Sequence, residues 1–120
     1  MEVLEVSLGK GLSPREVAEE FYAAIAAGDE ERFKAALTTA DREQMNRVRG
    51  TSPEFWWDSG RRYAEEYGVT WEFDGVREET DDKVVLWFKR LNADGTQRGS
   101  PVPIHLVLDE GEWRIETASI

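Results

Sequence analysis

Apolar residues recur at helical spacing through the first half of the chain, and residues that start or stop helices divide it into four predicted helices. In the first, Ser13 can cap the helix, Pro14 suits its first turn and Glu16 completes a capping box. Gly28 is expected to end this helix, because glycine readily adopts the left-handed conformation of a C-cap. The apolar stripe consists of Val17, Phe21, Ala24 and Ile25.

The same kinds of residue bound the next three predicted helices. Asp29 caps the second, Thr38 or Thr39 opens a third that stops near Gly50, and Ser52-Pro53 starts a fourth that runs to Tyr67 and is closed by Gly68. The residues expected to face inward are Phe33, Ala36 and Leu37 on the second, Met45 and Val48 on the third, and Trp56, Gly60, Tyr63 and Tyr67 on the fourth.

After Gly68 the apolar spacing changes from helical to alternating, as in Val69, Trp71 and Phe73, which is typical of half-buried strands. Further strands are predicted at 83–91, 102–108 and 113–118, with turns at 79–82, 92–95 and 109–111. Helices followed by an antiparallel meander predict an α+β fold, with the helices packed on one face of a curved sheet. Residues 1–12 form an N-terminal arm or a short strand, with loose apolar alternation at 2–8.

Length and charge narrow the classes of function. The 120 residues suit a single domain, and a net charge of −10 disfavours binding to nucleic acid or to anionic membranes. The chain has no cysteine, and therefore no disulfide, thiolate ligand or thiolate nucleophile, and it has one histidine, so we expect no metal. It also lacks a Gly-rich phosphate loop, and we expect no cofactor. The N-terminus lacks the pattern of a secretory signal, which predicts a cytoplasmic protein unless a leader was removed before this sequence begins.

The helix that ends in Gly28-Asp29 resembles the opening helix of nuclear transport factor 2-like proteins, in which a helix ending in Gly-Asp leads into a second short helix. The closing hairpin, with Gly111-Glu112-Trp113-Arg114-Ile115, is similar to small lipoprotein-associated members of unknown function. Together the resemblance covers residues 13–37 and 83–117. It implies a cone-shaped α+β roll, cystatin-like, that encloses an apolar pocket.

That superfamily includes ketosteroid-isomerase-like enzymes, polyketide cyclases, epoxide hydrolases and dehydratases, as well as non-catalytic binding domains. In the isomerases a tyrosine lies seven residues before the Gly of Gly-Asp, where this chain has Phe21, so Tyr22 could act only by turning inward. Asp41 lies in the stretch that matches the isomerase base, although an acidic residue in a first helical turn commonly serves the helix dipole.

Other candidates are isolated. Tyr63 is a polar residue on the inward stripe of the fourth helix, and Thr117 is the only polar strand residue in phase with the predicted interior. His105 is out of phase with Ile104 and Leu106, which places it on the outer face of the sheet. The Asp58, Arg61 and Arg62 group matches an epoxide-hydrolase pattern, but its helical spacing favours solvated ion pairs.

Aromatic residues are the most informative feature of the composition. Core filling explains them, and so does an aromatic-walled pocket for a small apolar or aromatic molecule. The candidate pocket lining is Phe21, Tyr22, Trp56, Trp57, Tyr63, Tyr67, Trp71, Phe73, Phe88 and Trp113, with Trp56 or Trp57 facing Trp71 and Trp113. The predicted outer face carries Val85, Trp87, His105, Val107 and Ala118, and its apolar patch predicts a homodimer.

These observations favour a small-molecule-binding or scaffold domain without a catalytic set. The alternative is an isomerase, dehydratase or cyclase that uses Tyr22, Asp41, Tyr63 or His105 in the same pocket. A protein-partner module with an exposed patch at Trp87 is a third hypothesis. The regular helix caps and charged surface are also typical of a designed or engineered chain.

Overall fold

The computed structural model describes residues 11–120, so the predicted N-terminal strand at 2–8 lies outside the described residues. Within 11–120 the chain forms four helices followed by four antiparallel strands, which confirms the predicted α+β class. The elements are α1 (Pro14–Ala27), α2 (Glu30–Ala35), α3 (Thr39–Arg47), α4 (Ser52–Tyr67), β1 (Thr70–Glu79), β2 (Lys83–Leu91), β3 (Val102–Asp109) and β4 (Glu112–Ala118). None of these helices is both long enough and apolar enough to cross a membrane.

Helix α1 begins and ends at the residues that its sequence predicts. The Ser13 hydroxyl accepts a hydrogen bond from the Glu16 amide at 3.1 Å, and the Ser13 amide donates to the Glu16 carboxylate at 2.8 Å. Gly28 closes the helix with a φ of 75°, a conformation that costs glycine little. The caps therefore fix the length of the helix that crosses the sheet. Its buried residues are Val17, Ala18, Phe21, Tyr22, Ala24 and Ile25.

The strands pair with their neighbours in sequence, in the order β1-β2-β3-β4. Helix α1 packs across one face of this sheet, and the hydrophobic core lies between them. Val84 and Leu86 of β2 belong to the core, whereas Val85 is buried on the opposite face, so β2 has apolar residues on both faces as predicted.

A β-bulge in β4 overturns part of the predicted strand phase. His105 pairs with Thr117 and Leu106 pairs with Ile115, which leaves Glu116 as an extra residue in β4. A single extra residue moves every residue beyond it to the other face of the sheet. Thr117 is therefore exposed on the outer face rather than in phase with the interior. Ala118, expected on the outer face, is 6% exposed and belongs to the core.

The chain between α2 and α3 covers the open edge of β4. The Ile115 amide donates to the Ala36 carbonyl at 2.7 Å, and the Thr38 amide donates to the Ile115 carbonyl at 3.0 Å. Leu37 thus forms a parallel bridge to Ile115 and is itself fully buried. This pairing satisfies backbone groups that an edge strand would otherwise expose, and it positions the start of α3.

Two helical residues that were expected to face inward are exposed. Val48 is 56% exposed because it follows the last turn of α3 in an extended conformation, and α3 has no buried residue. Tyr67 is 47% exposed because it is the final residue of α4. The inward predictions for both were wrong, whereas Met45 packs against the core as expected.

Gly60 allows α4 to approach α1 closely. A Cβ atom at this position would lie 2.6 Å from Cγ2 of Ile25, which is closer than side-chain carbons pack. The spacing of the two helices in the core therefore depends on this glycine.

We expect Gly60→Ala to lower the free energy of unfolding by about 1–3 kcal/mol, because overpacking outweighs the helix propensity of alanine. Ile25→Ala removes the obstructing carbon. In a double-mutant cycle measured by urea denaturation, the two substitutions together should cost less than the sum of the single changes. Strict additivity would show that the contact between Gly60 and Ile25 does not set the helix spacing.

Candidate functional site

The interior contains a continuous series of touching rings, which we call the aromatic cluster. Its members are Phe21, Tyr22, Phe33, Trp57, Trp71, Phe73 and Phe88. Tyr22 lies at its centre, stacked on Trp71 with 5.3 Å between ring centroids and 4.8 Å from the centroid of Phe88. These separations are those of rings in direct contact, so no ligand fits between the paired rings.

The predicted pocket residues fall into two groups. Trp56 is buried in the same core as the aromatic cluster, and Trp113 packs against that core from its margin. Tyr63 and Tyr67 lie apart, at the end of α4, where the Arg98 guanidinium is 5.4 Å from one ring centroid and 4.5 Å from the other. The structure therefore brings most of the predicted lining together as core and separates the two tyrosines from it.

Tyr22 is the only predicted acid–base residue in the aromatic cluster. Its hydroxyl donates a 2.9 Å hydrogen bond to the carbonyl oxygen of Ser119, just beyond β4. Burial raises the pKa of Tyr22 well above its ordinary value, and the positive charge of Arg90 opposes this only in part. Tyr22 is thus a neutral phenol whose single proton is already donated to the protein backbone.

Arg90 was missed by the sequence analysis, although its place in β2 is in phase with Leu86 and Phe88. It pairs with Trp71 across β1 and β2, and its guanidinium donates to the carbonyl oxygen of Ile120 at 3.2 Å. Trp71 Nε1 and Arg90 Nε are buried, and neither has a hydrogen-bond partner among residues 11–120. The alternation of β2 was the signal that could have placed this guanidinium beside the aromatic cluster.

Asp41 lies in the first turn of α3, away from the aromatic cluster. Its amide donates to the Thr38 hydroxyl at 3.2 Å, while its Oδ2 is buried without a partner in the described chain. Desolvation raises the pKa of Asp41; a hydrogen bond from Thr38 opposes the rise, and the negative charge of Glu116 adds to it. Asp41 is therefore a carboxyl with a perturbed environment but with no catalytic partner in reach.

His105 lies on the outer face of the sheet, as its phase in β3 predicts. Burial lowers the pKa of His105, and the charges of Lys83 and Arg77 lower it further. Glu116 and Glu78 act in the opposite direction. These surroundings favour the neutral imidazole, which is a property of a half-buried surface histidine.

The four catalytic candidates occupy four separate places. Tyr22 is in the core, Asp41 is at the start of α3, Tyr63 is near the end of α4, and His105 is on the outer sheet face. No hydrogen bond found in residues 11–120 joins any two of them. The same residues contain no cluster of histidine, aspartate and glutamate that could hold a metal ion.

The outer sheet face is less exposed than a simple alternation of residues implies. Val85 is 1% exposed, and His105 and Val107 are half-buried. The Trp87 ring is half-buried too, with the guanidinium of Arg77 5.2 Å from its centroid. Dimerisation through this face stays a prediction that gel filtration would test.

Comparisons with known proteins address the fold alone. Neither a family model nor a curated protein matches the sequence of this chain. Among solved structures, the chain is similar to the solution structure of a SEC-C motif containing protein from Rhodopseudomonas palustris, with a TM-score of 0.63 and 17% sequence identity. The similarity covers 92% of this chain and 80% of that protein.

Replacing Tyr22 by phenylalanine tests whether the hydroxyl is structural. We expect Tyr22→Phe to fold and to lose about 1 kcal/mol of unfolding free energy at pH 7, because one buried hydrogen bond is removed. The Tyr22 pKa is raised in the folded state, so the contribution of the hydroxyl is present below about pH 10 and is lost as pH rises further.

Urea denaturation at pH 7 and at rising alkaline pH measures both effects. The deficit of Tyr22→Phe should shrink above about pH 10, the ordinary tyrosine pKa. Tyr67→Phe, at an exposed ring, is the matched control and should leave stability unchanged. Equal stability of Tyr22→Phe and the wild type at pH 7 would contradict a structural hydrogen bond.

The carboxyl of Asp41 should titrate above the ordinary aspartate pKa of about 3.9 when followed by carbon-detected NMR. Glu116→Gln should move its midpoint downward, because a negative charge that opposes ionisation is removed. Glu43→Gln, on the exposed side of the same helix, is the control and should leave the midpoint in place. An unperturbed Asp41 midpoint would show that the carboxyl is solvated.

Proposed function

We propose that this chain is a non-catalytic scaffold domain that binds through its surface, with the aromatic cluster serving as its core. The observation that carries this proposal is the hydrogen bond from Tyr22 to Ser119 within a stack of touching rings. Through this bond the Tyr22 hydroxyl, the only predicted acid–base candidate in the aromatic cluster, holds α1 against the sheet.

The close contact of the rings supports this function over an enclosed small-molecule site. Ligand pockets of the usual kind offer about 300–1,000 Å³ of concave space. Here Phe33 bridges Phe21 and Trp57, with centroid distances of 4.9 and 5.1 Å. The ring that would have to move to admit a ligand is itself fully buried.

The alternative, a cofactor-free isomerase, dehydratase or cyclase, is favoured by one observation. Asp41 has a raised pKa and a buried oxygen without a partner in the described chain, as a general acid or base would. General acid–base chemistry on a carbonyl also needs a donor for the developing oxyanion. The position of the tyrosine donor in the isomerases is occupied by Phe21 in this chain, and the neighbouring Tyr22 has its proton engaged with Ser119.

Membership in the nuclear transport factor 2-like superfamily is part of this proposal. It is supported by the order of the elements, in which α1 and α2 are joined through Gly28-Asp29 and precede an antiparallel meander. A homodimer and a designed origin are further proposals, which follow from the outer sheet face and from regular capping, and a cytoplasmic location is a third. None of them is needed for the scaffold role.

The scaffold proposal predicts that the interior of the wild type excludes small aromatic ligands. Titration with indole or naphthalene, followed by amide shifts in NMR spectra, should give no saturable change at Trp71 or Phe88. Phe88→Ala removes a whole ring from the core and should gain saturable binding of benzene, because apolar cavities of ring size accept such ligands. Saturable binding by the wild type would support an enclosed pocket and refute the scaffold proposal.

A further inference from the structure

The chain contains two Asp-Gly pairs, Asp74-Gly75 in β1 and Asp94-Gly95 in the loop that joins β2 to β3. Both aspartates are exposed. An aspartate followed by glycine is open to attack of the glycine amide on the aspartate carboxyl, because glycine has no side chain to obstruct the approach. By sequence the two pairs are equivalent, but they lie in different surroundings.

Hydrogen bonds hold Asp94-Gly95 in an unreactive arrangement. The Thr96 amide and hydroxyl both donate to Oδ1 of Asp94, at 2.9 and 2.6 Å. These bonds, the one from the hydroxyl first, lower the pKa of Asp94 and so keep its carboxyl ionised. The Gly95 nitrogen, which would have to attack, donates to the Asn92 carbonyl at 2.8 Å. Both reacting groups of this pair are therefore engaged elsewhere.

Asp74-Gly75 lies where β1 departs from regular pairing with β2. The register shifts between residues 73 and 76, so Asp74 and Gly75 together lie opposite Trp87, and it shifts again between residues 76 and 78. Gly75 has a φ of 119°, with open space where a side chain would stand. Within residues 11–120 the Asp74 carboxylate has no hydrogen bond and no ion pair. This carboxyl is thus free to approach the Gly75 nitrogen.

The position of this pair in the sheet allows the backbone to lengthen. Strand β1 lies at an edge of the sheet that residues 11–120 form, so a longer backbone there disturbs pairing on one side only. A β-bulge already sets two residues against one of the partner strand. One further backbone carbon at this point extends an existing irregularity and leaves the register of β2 with β3 intact. A modified chain therefore keeps its core.

We propose that Asp74 is a site of spontaneous isomerisation to isoaspartate in the folded protein, and that the hydrogen bonds of the β2–β3 loop protect Asp94 from the same reaction. This modification is independent of the proposed scaffold function.

The reaction needs only water. The Gly75 nitrogen bonds to Cγ of Asp74 as a carbon–oxygen bond of the carboxyl breaks, and the hydroxyl leaves with the amide proton as water. Water then adds to the main-chain carbonyl carbon of Asp74 and breaks its bond to the Gly75 nitrogen, so the backbone runs through Cβ and Cγ. Addition at Cγ instead restores aspartate. Mass and charge are unchanged, and no oxidant or cofactor takes part.

Peptide mapping after incubation of the whole chain at physiological temperature and pH tests the proposal. Trypsin releases residues 63–77 and 91–98, which contain Asp74 and Asp94 as their respective single aspartates. Isoaspartate keeps the peptide mass, changes its chromatographic retention and blocks an endoproteinase that cuts before aspartate. We expect isoaspartate to form at least about tenfold faster in 63–77, because releasing a hydrogen-bonded group at Asp94-Gly95 adds to the barrier there.

The same incubation in urea separates the effect of structure from that of sequence. Unfolding releases the groups that engage Asp94 and Gly95, so the difference in rate between the two peptides should largely disappear. A rate ratio that is equal in the folded and the unfolded chain, or faster isomerisation at Asp94 in the folded chain, would overturn the proposal. Isoaspartate that forms at Asp74 only in urea would also overturn it, because β1 would then protect its own pair.

Two variants at exposed positions test the assigned causes. Thr96→Val removes the hydroxyl that donates to Asp94 and should raise isomerisation in peptide 91–98 several-fold, with peptide 63–77 unchanged. Asp74→Glu keeps the charge but would have to close a larger ring, so it should abolish the altered form of peptide 63–77. Both variants should retain the far-ultraviolet spectrum of the wild type. Unchanged isomerisation at Asp94 in Thr96→Val would contradict its protection by the loop.

Discussion

The hydrogen bond from Tyr22 to the carbonyl oxygen of Ser119 holds the middle of α1 against the residues that follow β4. The same side chain stacks on Trp71 of β1 and touches Phe88 of β2. Tyr22 thus links α1 to both edge strands of the sheet. Its ring contacts β1, and its hydroxyl donates a hydrogen bond just beyond β4. Because Tyr22 is only 2% exposed, a hydroxyl buried there without that acceptor would lower the free energy of unfolding. The position of α1 follows from this contact, and α2 and α4 in turn pack on α1.

Arginines hold the ends of the helices in place. Arg61 of α4 donates to the carbonyl oxygen of Ile25 at 2.7 Å and to the Glu65 carboxylate at 2.6 Å, so it satisfies the end of α1 and also forms an ion pair within α4. Arg42 does the same for the end of α2. Carbonyl groups at a helix C-terminus lack partners within the helix, and a guanidinium can serve several of them at once. Helix α3, which has no buried residue, is consequently attached to the fold mainly by polar contacts.

The sequence predicts this fold as far as its local rules apply. Capping residues such as Ser13 and Gly28 act within a few residues of themselves, and the predicted helix boundaries are confirmed there. Strand phase is a longer-range inference, and it fails where Glu116 bulges, because alternation assigns a face only while the register is unbroken. The apolar stripe of α4 indicates which side of the helix packs on α1, but it does not indicate where along the helix that contact ends. For this reason Tyr67 was predicted to face inward although it is exposed. Whether aromatic residues form a core or a pocket depends on ring separations of an ångström or two, which no spacing in the sequence encodes.

A filled interior determines where this fold can vary without losing stability. Substitutions in the aromatic cluster alter volume in a close-packed core, where each lost or added methylene group has an energetic cost. The turn from α3 to α4 is constrained in part: Thr51 and Pro53 are buried, and the Gly50 amide donates a hydrogen bond to the Glu54 carboxylate, but Val48 and Phe55 are exposed. Val48 and Phe55 therefore contribute little to the core, and their hydrophobic surface faces water. Because the core of this domain is filled, we expect its binding to depend on side chains of surface segments such as this turn.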